Sequence, residues 1–211
     1  MSILQEISTN LQAGKAKIVK ELVQQAIDEK ISAKTILEEG LLSGMSVIGE
    51  KFKNNEVYVP EVLVAARAMN AGSQILKPLL VEDGVKAVGK AVIGTVKGDL
   101  HDIGKNIVKM MMEGKGLEVI DLGVDVSAEM FVQAVQEHDA QIIACSALLT
   151  TTMSEMKSVV EAVEKAGIRD KVTIMVGGAP VSQTYCDSIK ADIYTSDAAS
   201  AADAAVAALR K

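Results

Sequence analysis

The stretch best equipped for chemistry is Gly98-Asp99-Leu100-His101-Asp102-Ile103-Gly104. It follows an apolar run, Ala91-Val92-Ile93-Gly94-Thr95-Val96, and leads into a helical pattern carried by Ile103, Ile107, Val108 and Met111. His101, one of only two histidines, therefore falls on the loop after a buried strand, two residues beyond Asp99. In open α/β sheets, ligands bind outside the carboxyl ends of the strands. A carboxylate beside a histidine there can hold one ring nitrogen and leave the other free for a metal. A second unusual stretch, Ser146-Ala147-Leu148-Leu149-Thr150-Thr151-Thr152, offers a run of hydroxyls with no charge.

These loops need elements to place them. Residues 1–82 contain no convincing strand, and their apolar positions recur at helical spacing. The sets are Ile3, Leu4, Ile7, Leu11; Ile18, Val19, Leu22, Val23, Ala26, Ile27; and Ile36, Leu37, Leu41, Leu42, Met45, Ile48, Phe52. Ser32 is a plausible N-cap. Pro60 with Glu61 opens a fourth helix bearing Val62, Leu63, Ala66, Met69, Ile75 and Leu76. This half predicts a four-helix bundle, and the polar residues 83–87 predict a linker. Over 88–211 short aliphatic runs alternate with amphipathic segments: strand 88–96, helix 103–115, strand 117–122, helix 127–138, strand 140–146, helix 153–167, strand 172–177, helix 181–190, a short strand near Ile193, and a helix from Ala198. Five such repeats predict a doubly wound parallel sheet of the flavodoxin-like order 2-1-3-4-5. Its switch point lies between strands 1 and 3, so the two unusual loops converge on one crevice by topology alone.

Composition excludes several functions. The net charge of −6 and the scarcity of aromatic residues argue against a nucleic-acid binder, which needs a basic face and stacking platforms. No apolar run reaches the roughly 18 residues of a membrane span. The first residues form an amphipathic helix without the pattern of a signal peptide, so the expected compartment is the cytoplasm. Two isolated cysteines, Cys145 and Cys186, provide neither a disulfide framework nor a metal pair. The spacing of Gly94, Gly98 and Gly104 is wrong for a dinucleotide fingerprint. Strand 3 ends Ala144-Cys145-Ser146, without the aspartate that a response regulator would phosphorylate. Cys145 reads as a core residue and His138 as a solvated helix C-terminus.

Asp99-x-His101-x-x-Gly104, followed by Ser146-x-Leu148-x-Thr150-x-Thr152 and Gly177-Gly178-Ala179, resembles the cobalamin-binding module of the corrinoid-dependent methyltransferases. Gly44-Met45-Ser46-Val47-Ile48-Gly49-Glu50-Lys51-Phe52 and Val57-Tyr58-Val59-Pro60-Glu61-Val62 are similar to the helical cap that precedes this module in methionine synthase. The resemblance covers nearly the whole chain, and it makes 1–82 a cap and 88–211 a cobalamin-binding Rossmann-like domain. It implies a bound cobalamin or related corrinoid in its methylcobalamin form, base-off and His-on. His101 would be the axial cobalt ligand, Asp99 would accept its other ring N–H, and Thr152 would extend the relay. Ser146 and Thr150 would line the pocket of the displaced nucleotide tail, past which Gly104, Gly177 and Gly178 allow close approach. Asp102, Ile103 and Leu148 complete the cofactor contacts, and Phe52 and Val59 would cover the upper, methyl-bearing face.

No residue pair for activating a methyl donor is visible. The resemblance therefore implies a carrier without a complete active site of its own, in the one-carbon metabolism of an anaerobe. Its partners would be a donor-specific methyltransferase, an acceptor methyltransferase using tetrahydrofolate or coenzyme M, and a reductive activase. The B12-binding subunit of an adenosylcobalamin mutase is the alternative; such subunits share D-x-H-x-x-G but lack this cap. A B12-sensing regulator would need a basic DNA-binding helix, whereas residues 15–30 carry mixed charge.

Overall fold

The computed structural model describes residues 1–210. The chain divides into two compact units, residues 1–87 with 114–116, and residues 88–113 with 117 onward.

The first unit is helical: α1 (Ile3–Gln12), α2 (Ala16–Asp28), α3 (Ala33–Thr35), α4 (Ser43–Lys53) and α5 (Val59–Glu82). Ser2 starts α1 with a capping box, its hydroxyl accepting the Gln5 N–H while the Gln5 side chain accepts the Ser2 N–H. Ser32 caps α3, accepting the Thr35 N–H at 3.1 Å. A π-helical segment, Ile36–Leu42, joins α3 to α4, so these three form one helical run and the unit has four rods. The π-turn follows from spacing: buried Ile36 and Leu41 are five residues apart, and i→i+5 hydrogen bonding keeps both on the core side. The core of this unit is aliphatic, with Ile7, Leu11, Val19, Val23, Leu41, Met45, Ile48, Val62 and Leu76 buried.

The second unit is a five-stranded parallel sheet in the order β2-β1-β3-β4-β5. The strands are β1 (Lys90–Thr95), β2 (Glu118–Asp121), β3 (Ile142–Ser146), β4 (Thr173–Gly177) and β5 (Ile193–Tyr194). Between them run α6 (Ile103–Glu113), α7 (Ala128–His138), α8 (Ser154–Lys165) and α9 (Gln183–Ser188), and α10 (Ala198–Ala208) follows. The sequence-predicted order is the observed one. Val92, Ile143, Cys145, Ile174 and Val176 point to one face, where they pack with Phe131, Met156 and Val163 of α7 and α8. On the other side α6 packs against β1 and α10 against α6. Helix α9 is shorter than the predicted 181–190, because Ser182 is its N-cap and Lys190 turns into a left-handed backbone, φ 59°. In register, Thr95 lies opposite Ser146 and Ser146 opposite Gly177. The β1–α6, β3–α8 and β4–α9 loops therefore leave the same sheet edge side by side.

Candidate functional site

Asp99 is fully buried and organises this edge. One carboxylate oxygen, Oδ1, accepts the His101 N–H at 3.1 Å and lies 2.7 Å from Nδ1 of the same ring. The other, Oδ2, accepts the N–H groups of Leu148 at 2.8 Å and Leu149 at 3.2 Å and the Thr152 hydroxyl at 2.8 Å. Burial alone would raise the carboxyl's pKa. The bonds from His101, Leu148 and Thr152 outweigh it and hold the group well below the usual carboxylate range. An ionised Asp99 can only accept, so the short contact requires Nδ1 of His101 to carry the proton. In the neutral ring the lone pair is then on Nε2, which takes part in no hydrogen bond among the described residues. The imidazole is 51% exposed. The arrangement is a nitrogen donor at the surface, held by an anion beneath it.

The apolar surroundings are equally distinctive. Leu100 and Ile103, on either side of His101, are 71% and 70% exposed, and Leu148 and Leu149 are also exposed. Four large aliphatic side chains facing water, on adjoining loops and at the first residue of α6, mark a contact surface. Asp102 is exposed, with Oδ2 accepting the Asn106 side-chain amide at 3.1 Å. Gly104 and Gly177 have open space where a Cβ would stand. Gly178, at φ 138°, is different: a Cβ there would collide with the Ala147 carbonyl, 2.9 Å from its carbon. Only glycine lets the β4–α9 loop approach the β3–α8 loop so closely. Ser146 ends β3 half-buried and Thr150 is exposed. Asp99, His101, Leu148 and Thr152 are thus joined directly, while Asp102, Ile103, Gly104, Ser146, Thr150, Gly177 and Gly178 lie along the same edge. Phe52 and Val59 belong to the helical unit, Phe52 half-buried on α4 and Val59 opening α5.

Three supports have no counterpart in the sequence reading. Thr95, fully buried, donates its hydroxyl to the His101 carbonyl at 2.7 Å. Asp125 accepts the Gly98 N–H at 2.7 Å and donates its own N–H to the Asp99 carbonyl at 3.0 Å. The Tyr185 hydroxyl donates to the Met153 carbonyl, tying α9 to the end of the threonine run. The only local sign of Asp125 was its place two residues before Ser127, which caps α7. The rejected candidates stand elsewhere. Cys145 is buried in β3, and desolvation pushes its thiol up to about 12. His138 ends α7, where its carbonyl accepts the Lys90 ammonium at the start of β1, the opposite edge of the sheet.

Comparison with known proteins supplies the context. Two family models, each described as a B12 binding domain, match residues 3–77 and 89–209. A corrinoid protein of Desulfitobacterium hafniense is 42% identical over 97% of this chain and 96% of its own. A trimethylamine corrinoid protein of Methanosarcina barkeri is 42% identical over 92% of this chain and 90% of its own. Among solved structures, a chain of the methanol:cobalamin methyltransferase complex from M. barkeri superposes with a TM-score of 0.89 at 31% identity, covering 99% of this chain and 80% of that one.

Proposed function

This chain belongs to the corrinoid proteins built from B12 binding domains, and from that premise we propose that it works in the cytoplasm as a methyl carrier between two methyltransferases. When bound, the corrinoid supplies a cobalt centre that takes up and gives up a methyl group. The donor set suits such a group. Among the described residues no three His, Cys, Asp or Glu side chains gather as ligands for a bare metal ion. One exposed imidazole can therefore serve only a metal whose other positions are already filled, as they are in a macrocycle. The exposed aliphatic side chains of Leu100, Ile103, Leu148 and Leu149 suit the apolar face of such a ring.

In this reading His101 is the axial ligand through Nε2, replacing the corrinoid's own lower base. Asp99 fixes the tautomer and keeps Nε2 basic, and Thr152 with the Leu148 and Leu149 amides keeps Asp99 ionised. Ser146, Thr150, Gly177 and Gly178 border the path of the nucleotide tail, with Gly104 leaving it room. Asp102 and Ile103 complete the contacts beside the ligand. The donor enzyme, an acceptor enzyme using tetrahydrofolate or coenzyme M, and a reductive activase are separate proteins. A methylamine is the first donor to test, since matched relatives are named trimethylamine and dimethylamine corrinoid proteins. A mutase subunit is not favoured by these relatives.

The observation that carries this reading is the Asp99–His101 pair, with Nδ1 held at 2.7 Å and Nε2 left free. The purified holoprotein should contain one corrinoid per chain and show axial-nitrogen hyperfine coupling in its cobalt(II) electron paramagnetic resonance spectrum. His101→Ala should lose that coupling, and methyl transfer should require an added donor methyltransferase. Imidazole coupling that persists in the variant, or multiple turnovers without a partner, would refute the proposal.

A further inference from the structure

The imidazole of His101 is half exposed, so packing does not aim it; its direction is set by the Asp99 carboxylate at Nδ1 and by the backbone of residues 98–101, which carries both side chains. That backbone is held from two sides. Below, the Thr95 hydroxyl, at the end of β1, donates to the His101 carbonyl at 2.7 Å, and Thr95 is fully buried. From the β2–α7 loop, Asp125 takes the Gly98 N–H at 2.7 Å on its carboxylate and gives its own N–H to the Asp99 carbonyl at 3.0 Å. The two sides are tied together: the Thr95 N–H donates to the Gly123 carbonyl and the Val126 N–H to the Thr95 carbonyl, each at 3.0 Å. Asp125 makes both of its bonds from a left-handed backbone, φ 55°, and Gly98, which donates one of them, is at φ 78°. Aspartate and asparagine reach that conformation more readily than other non-glycine residues.

We infer that Thr95 and Asp125 are positioning residues for the axial ligand, acting through the loop backbone rather than through the ring. The inference rests on the reading of His101 as that ligand. The Asp99 carboxylate grips Nδ1, yet carboxylate and ring are connected through the peptides of residues 99–101. The carboxylate is itself held by the Leu148, Leu149 and Thr152 donors at Oδ2, but those bonds act on the side chain. The peptides of residues 98–101 are held to β1 and the β2–α7 loop by the Thr95 and Asp125 bonds. A loop released from them keeps the His101–Asp99 pair and its Oδ2 anchors but lets the His101 backbone, and Nε2 with it, shift, which costs affinity for a metal fixed in a rigid ring.

The test uses the full chain and two readouts. Amide exchange of Gly98 in the apoprotein reports the clamp itself. Titration with diaquocobinamide, a corrinoid without a lower base, reports the imidazole's contribution, with the axial-nitrogen coupling read after reduction to cobalt(II). Thr95→Val removes the donor at nearly constant shape. Asp125→Gly removes the acceptor but keeps the left-handed backbone. Each should weaken cobinamide binding roughly tenfold to a hundredfold, the range for losing a supporting partner of a metal ligand. Asp125→Gly should also speed Gly98 exchange. Thr95→Ser and Asp125→Asn, which keep the hydroxyl and an acceptor oxygen, should restore both readouts. Wild-type affinity and coupling in Thr95→Val and Asp125→Gly, beside a weakened His101→Ala, would overturn the inference alone. Wild-type binding and coupling in His101→Ala would overturn the ligand reading and this inference with it.

Discussion

Asp99→Asn is the sharpest perturbation available, because it preserves shape and reverses one hydrogen-bonding role. Every partner of the wild-type carboxylate is a donor: the N–H groups of His101, Leu148 and Leu149, the Thr152 hydroxyl, and Nδ1 of His101. Asparagine keeps one acceptor oxygen. Two of the three donors at Oδ2 are backbone amides that cannot turn away, so the oxygen must take that side. The NH₂ then faces Nδ1, and the ring can accept only by moving its proton to Nε2. The charge-assisted bond that fixes the wild-type tautomer is worth about 1.5–3 kcal/mol, roughly tenfold to a hundredfold in the ratio of the two tautomers. The substitution should therefore carry the proton to the very nitrogen that ligation requires bare. Two-bond ¹H–¹⁵N correlation spectra of the apoprotein read the tautomer directly, and a His138 variant assigns the signals. Nδ1–H is expected in the wild type and Nε2–H in Asp99→Asn, with corrinoid affinity reduced about tenfold to a hundredfold. An Asp99→Asn ring still protonated on Nδ1, or an unchanged affinity, would show that Asp99 does not control the ligand nitrogen.

Other expectations follow from the same geometry. The Asp99 carboxyl is held below its usual range, so its contribution to stability is complete above the unfolded value of about 3.9 and is lost as pH falls through the folded one. The difference in unfolding free energy between wild type and Asp99→Asn should thus stay constant from neutral pH to about 4 and shrink only in stronger acid; a difference that closes near pH 6 would contradict this. Gly178→Ala should destabilise by about 3 kcal/mol or more in urea unfolding, since the added methyl meets the Ala147 backbone and the φ of 138° is unsuited to alanine; a loss under about 1 kcal/mol would mean the two loops part easily. Lys105→Met breaks a buried ion pair, Nζ to Asp121 Oδ1 at 2.6 Å, but leaves Lys109 at 3.3 Å from Oδ2. A cost of about 3 kcal/mol, the lower end for such pairs, is expected in the same assay, and a stabilised variant would refute it. Cys145 and Cys186 should resist a thiol reagent in the folded protein, with labelling paced by unfolding; rapid labelling of native protein would show the sheet to be open.

How much of this was legible in the sequence depended on the range over which each feature acts. The strands were readable because each is a short aliphatic run between loop residues, and the strand order follows once five β/α repeats must wind on both faces. The pairing of Asp99 with His101 was readable because the two residues are two apart and unusual in type. The π-turn left a sign that helical periodicity treats as noise: Ile36 to Leu41 and Leu37 to Leu42 are spaced by five, where an α-helix wants three or four. Thr95 and Asp125 left almost none. Thr95 reads as one more residue of a strand, and the Asp125 bond to Gly98 crosses 27 residues without any local pattern.

The difference has a physical origin. A side chain that does chemistry must be of a particular type, so composition betrays it. A group that holds a backbone carbonyl or amide need only be a donor or acceptor in the right place, and many residues qualify. An exposed imidazole cannot be aimed by close packing, which works only where neighbours surround a group. Its orientation must come from hydrogen bonds, those from β1 and the β2–α7 loop to the peptides beneath it and those from the β3–α8 loop to the Asp99 carboxylate that grips the ring. The exposure of His101 that leaves Nε2 accessible is therefore the same property that makes its placement depend on distant residues.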